Sequence, residues 1–106
     1  MLRIDEIKQA ASEVARTNGA KLAVLFGSYA RGTATDRSDI DLIFVEDTNL
    51  RYLDRLDSYY YILVNRLRTP VEMFVYTPAE FEKMKDRPFV ARALREGIIL
   101  YESGES

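Results

Sequence analysis

The hydrophobic positions of this chain change period several times, and each change marks an element. Ile4, Ile7, Ala11 and Val14 recur at helical spacing before Asn18-Gly19, so residues from about 3 to 17 are expected to form an amphipathic helix. Lys21–Phe26 is a short apolar run ending at Gly27, which suits a buried strand, and Ile40–Val45 repeats the pattern. Leu53, Leu56, Tyr60, Leu63 and Leu67 alternate by three and four. They predict a long helix from about Leu50 to Arg68, closed by Thr69-Pro70. Val71–Tyr76 reads as a third strand, with Pro70 at its entry, where a missing N–H does least harm.

Thr77-Pro78-Ala79-Glu80 has the order of a helix start, with a capping hydroxyl, proline at the first position and a glutamate to close the capping box. A further helix is expected from Arg87 to Glu96, stopped by Gly97, then a last strand at Ile98–Tyr101. The order α-β-(short α)-β-α-β-α-α-β predicts an α/β (α+β) fold, a small mixed sheet flanked by helices. Residues 1–102 are expected to form one domain and 103–106 a flexible tail.

Composition narrows the chemistry. The 106 residues include no cysteine, histidine or tryptophan. That excludes Cys/His zinc sites, disulfide frameworks and triads with a histidine base. Carboxylates, hydroxyls, Lys, Arg and an oxygen-loving metal remain. Fifteen basic and seventeen acidic residues give a net charge of −2, against the basic excess that extended nucleic-acid binding requires. No run resembles a signal peptide or a membrane span, so a cytoplasmic location with no membrane partner is the expectation.

The candidate chemistry is concentrated between Gly27 and Leu42. Gly27-Ser28 ends a buried strand and opens a helical turn, where backbone N–H groups and a hydroxyl face a phosphate together. In most chains such a pair is only a turn. Asp39 and Asp41 add weight: two apart on a strand, they share a face about 6.6 Å apart along it. Held so close at the entrance to an apolar run, they repel each other, and a divalent cation would relieve the cost. Ile40, Leu42 and Phe44 then face the other way, towards the core. Glu72, second in its strand, lies on the face opposite Val71 and Met73, with Phe74 and Tyr76. If that strand pairs with Ile40–Val45, three carboxylates converge. Mg²⁺ accepts such ligands together with substrate phosphates, and the chemistry this suits is phosphoryl or nucleotidyl transfer. Arg31, three residues after Ser28, either reaches a phosphate oxygen or remains solvated or paired with Asp36. Arg37, Lys83, Lys85 and Arg87 are expected on solvated faces. Within Tyr59-Tyr60-Tyr61, Tyr60 continues the apolar stripe, leaving Tyr59 and Tyr61 for an interface.

Gly27-Ser28, ten intervening residues and Asp39-Ile40-Asp41 resemble the signature of the polymerase-β-like nucleotidyltransferase superfamily. Arg31-Gly32, Ser38–Leu42, Thr77–Phe81 and Gly97–Tyr101 look like its minimal nucleotidyltransferase (MNT) branch of small stand-alone domains. The resemblance implies the polymerase-β-like fold and an enzyme that moves AMP from ATP to an acceptor hydroxyl, with Gly27 and Ser28 on the β/γ-phosphates and Asp39 and Asp41 on Mg²⁺. A third carboxylate joins a metal or takes the acceptor's proton; the family most often has Asp there, and this chain offers Glu72. The implied acceptor is a HEPN-type partner protein, a toxin for which this domain is the antitoxin. Two alternatives stand beside it. One is a nucleotide-binding module, weak or inactive in catalysis, that neutralises its partner by contact. The other is a transferase acting on a small molecule such as an aminoglycoside, for which homo-oligomerisation would have to build the acceptor pocket.

Overall fold

A computed structural model describes residues 1–104; Glu105 and Ser106, the end of the expected tail, lie outside the described residues. The chain runs α1 (Ile4–Asn18), β1 (Ala20–Phe26), α2 (Gly27–Arg31), β2 (Ile40–Glu46), α3 (Tyr52–Leu67), β3 (Val71–Tyr76), α4 (Pro78–Met84), α5 (Pro88–Glu96) and β4 (Ile98–Glu102). Each of these elements matches the sequence reading in type and order, with ends displaced by a residue or two. Thr77 caps α4 as expected: its side chain accepts the Glu80 N–H, and the Glu80 carboxylate accepts the Thr77 N–H in return.

The four strands form one mixed sheet in the order β3-β2-β1-β4. β1 is antiparallel to both β2 and β4, whereas β2 and β3 are parallel, joined by the α3 crossover. The period of two sorts the strand residues into two cores. Ala23, Leu25, Ile40, Leu42, Phe44, Met73 and Val75 pack with α1 and α3. Val24, Phe26, Ile43 and Tyr76 pack with Val90 and Ala93 of α5, and Phe74, Phe81 and Met84 border them. The sheet is therefore apolar on both faces, which explains the near-continuous hydrophobic runs of its strands. Beyond β4 the backbone continues to pair, the Ser103 N–H donating to the Lys21 carbonyl at 2.9 Å.

The phase of α3 differs from expectation. Its buried face is Arg55, Tyr59, Leu63 and Leu67, while Leu53 is 75% exposed and Tyr60 42%. Tyr59, expected at an interface, is fully buried; Tyr60, expected in the core, is at the surface; Tyr61 is exposed, as anticipated. Adjacent helical positions differ by about 100°, so three successive tyrosines leave the phase open to local partners. Two decide it. The Tyr59 ring packs on Phe44, centroids 4.4 Å apart, and its hydroxyl donates to Glu46. One turn earlier Arg55 is held inside by the Leu50 and Val75 carbonyls, at 2.9 and 3.0 Å, and by both Glu80 oxygens, at 2.7 and 3.2 Å. An arginine so completely bonded can occupy a face that hydrophobicity would assign to leucine.

Candidate active site

The site lies at one end of the sheet, where β1 finishes and β2 and β3 begin. In the register Phe26 stands opposite Asp41, and Asp41 opposite Glu72. Because β2 and β3 are parallel and enter the sheet together, their second residues lie side by side on the face turned towards α5. Strand pairing thus brings Asp41 and Glu72 together, but the expected convergence of three carboxylates is not met among the described residues, because Asp39 lies ahead of β2 and outside the ladder. Asp39 precedes β2 and is exposed, as is Glu72, whereas Asp41 is half-buried. The Asp41 carboxyl is pushed up to about 6, first by burial, then by the charges of Glu72 and Asp39 and a hydrogen bond with Glu72; Arg31 opposes the rise.

Gly27 presses directly on this carboxylate. Its φ is +72°, and a Cβ there would stand 2.1 Å from Asp41 Oδ2. Both the left-handed backbone and the close approach demand glycine. Ser28 follows on α2, a turn closed where the Ser28 carbonyl accepts the Thr33 N–H at 2.9 Å. Arg31 ends that turn and pairs with Glu96 of α5 at 3.6 Å rather than with Asp36. Glu96 also receives Arg92, at 3.3 Å.

These groups surround an open cleft of about 350 Å³. Phe26, Gly27, Asp41 and Glu72 form its sheet side, Arg31 one flank, and Phe89, Arg92, Ala93 and Glu96 the wall supplied by α5. Ser28 and Asp39 adjoin this lining along the chain. Arg37, Lys83, Lys85 and Arg87 are exposed, as expected. The α5 wall was missed in the sequence. Its available signal was the spacing of Phe89, Arg92 and Glu96, which places them on one helical stripe beside the buried Val90 and Ala93.

Among the described residues no three acidic side chains group closely enough to cage a metal ion. The donor set nevertheless fits Mg²⁺, which commonly takes one or two carboxylates and completes its shell with water and substrate phosphates. Two carboxylates in strand register, one with raised proton affinity, are better accommodated beside a cation than alone.

Paired carboxylates at the entrances of two parallel strands, with a glycine turn against one of them, are compatible with metal-assisted phosphoryl or nucleotidyl transfer. Residues 8–106 match the family described as polymerase beta, nucleotidyltransferase, and the chain belongs to that family; it is a nucleotidyltransferase. A Methanocaldococcus jannaschii protein with the provisional name protein adenylyltransferase is 34% identical over 85 residues, 76% of this chain and 78% of that relative. Among solved structures, one chain of a toxin–antitoxin complex with AMP-PNP superposes with a TM-score of 0.66 at 23% identity, covering 94% of this chain and 75% of its own. A chain from the complex of the tri-AMPylated Shewanella oneidensis HEPN toxin with its MNT antitoxin gives 0.59 at 20% identity, covering 97% and 74%. The likeness to these structures is one of fold. Among the described residues no helix is long and apolar enough to cross a membrane.

Proposed function

We propose that this chain is a minimal nucleotidyltransferase that transfers AMP from ATP to a hydroxyl of a HEPN-type partner protein, acting as the antitoxin of a toxin–antitoxin pair. The acceptor oxygen bonds to the α-phosphorus, the bond to the bridging oxygen breaks, pyrophosphate leaves, and the hydroxyl proton passes to a base. The observation that carries the reading is the register of Asp41 beside Glu72 with Gly27 pressed against Asp41. The provisional name of the archaeal relative and the AMPylated toxin in the Shewanella complex support the choice of AMP and of a protein acceptor.

Asp39, Asp41 and Glu72 would hold Mg²⁺, which when bound neutralises triphosphate charge and acidifies an attacking hydroxyl. Gly27, having no side chain, lets the turn close directly over Asp41, and the Ser28 hydroxyl and Arg31 guanidinium donate to phosphate oxygens. Glu72, exposed at the cleft edge, accepts the proton released by the acceptor when it is not engaged as a ligand. Small as it is, the domain provides the triphosphate half of the site and leaves the acceptor half to its partner.

The test mixes the purified chain with its HEPN-type partner, labelled ATP and Mg²⁺. Label passes to the partner with the unmodified chain and is abolished by Asp39→Asn or Asp41→Asn; transfer surviving both would refute the mechanism. Exposed Tyr60 and Tyr61, 42% and 63% accessible and in edge-to-face contact, favour a second reading in which contact alone neutralises the partner. Protection retained by the double Asp variant without transfer would select it.

A further inference from the structure

The wall that α5 contributes to the cleft is built unlike a packing surface. Val90 and Ala93 already bury the helix against the sheet. Phe89 and Arg92, with Glu96 one turn further, form a second stripe that turns into the cleft instead. Phe89 lies steeply inclined to two other rings, Phe26 at 5.7 Å and 88° and Phe74 at 5.5 Å and 66°, yet is 53% exposed. A ring fixed by two aromatic neighbours and half open to a polar cleft is suited to stacking. Arg92 lies one turn from it and shares Glu96 with Arg31, at 3.3 and 3.6 Å.

Charge gives this shared carboxylate a meaning. The cleft lining carries three carboxylates, Asp41, Glu72 and Glu96, against two guanidiniums, Arg31 and Arg92. A polyphosphate entering it gains from the two guanidiniums only by exchanging with the carboxylate that holds them. Of the three carboxylates, Glu96 is the one that pairs with both, bridging the end of α2 and the wall of α5.

We infer that α5 is the nucleotide-reading wall of the site: Phe89 stacks on the base, Arg92 joins Arg31 on the phosphates, and Glu96 is an internal stand-in that holds both guanidiniums until the triphosphate displaces it. The inference rests on the nucleotidyltransferase reading and extends it to residues outside the Gly-Ser and Asp-x-Asp motifs. A terminal phosphate offers three oxygens against the two of the Glu96 carboxylate, so it can take over both guanidiniums, and a triphosphate brings several such groups.

The test measures binding to the isolated chain with Mg²⁺, by calorimetry, for two probes: a non-hydrolysable ATP analogue and inorganic tripolyphosphate. Phe89→Leu weakens the analogue about tenfold, within the range of lost base stacking, and leaves tripolyphosphate unchanged. Phe89→Tyr restores analogue binding. Arg92→Ala weakens both probes about tenfold, as expected for a charge-assisted contact, and Glu96→Gln tightens both about threefold. Arg95→Ala, on the exposed side of α5, changes neither. Thermal melting of each variant separates lost binding from lost folding. If the unmodified chain binds neither probe, the proposed transfer of AMP from ATP itself falls. If it binds the analogue and Ser28→Ala weakens it, but the Phe89, Arg92 and Glu96 variants bind as the unmodified chain does, only the assignment of α5 is overturned.

Discussion

At the scale of single residues, the role proposed for Asp41 is set against stability. Its folded carboxyl titrates near 6 against an ordinary 3.8, so between those values the folded protein binds more protons than the unfolded chain. The stabilisation this gives is complete below about pH 3.8 and lost as pH rises through 6. At neutral pH the ionised pair is therefore a liability. Each step of pKa is worth about 1.4 kcal/mol, which solvent screening of a half-open group reduces to a net effect of about 1 kcal/mol here. Asp41→Asn is expected to raise the melting temperature at pH 7 while abolishing transfer, and the gain should shrink as unfolding is followed down to pH 4. A gain that does not vary with pH would contradict this account. Gly27→Ala should act in the opposite sense. The strained backbone alone costs about 1–2 kcal/mol, and the clash with Asp41 adds to it. Combining it with Asp41→Ala should recover part of the loss in chemical denaturation, because the two positions share one space.

At the scale of elements, the informative case is α3. Strands, turns and the Thr77 cap were legible because each rests on a local signal: period, proline or a capping hydroxyl. The phase of α3 was not, since Tyr59 and Tyr60 are the same residue type and the deciding partners, Phe44, Glu46 and Glu80, are distant in sequence. The same distinction runs through the site. Asp39, Asp41, Gly27 and Ser28 stand out by spacing, and the facing of Glu72 followed from strand period. The Phe89–Glu96 wall is assembled only by tertiary packing. The corrected phase makes a direct prediction: Leu63→Ala should cost about 3 kcal/mol as a buried cavity, whereas Leu53→Ala should stay within about 0.5 kcal/mol. Glu80→Ala should cost about 2–3 kcal/mol by stranding the buried Arg55 between α3 and β3. The Glu80 carboxyl is held below its usual range, chiefly by Arg55, so this difference should fade as pH falls through that lowered value.

At the scale of the whole molecule, the two faces of the sheet are unequal. The α1/α3 side carries the larger core, with Ile7, Ala10, Ala11 and Val14 buried beneath it, while the α4/α5 side is thinner and bounded by the cleft. Local opening should follow that inequality. Amide exchange is expected to be slowest in β1, β2 and α1 and faster in α5, and a bound ATP analogue should slow α5 more than α1. Equal protection of the two faces would show that the thinner core does not govern local opening.

The contact between Gly27 and Asp41 also bears on descent. While the carboxylate is kept, no side chain can be accepted at position 27 without moving it; once it is lost, the steric constraint lifts and only the left-handed backbone still favours glycine. Copies of this domain should therefore never change position 27 while keeping Asp41, and a gene that has lost the aspartate can be recognised before its product is ever purified.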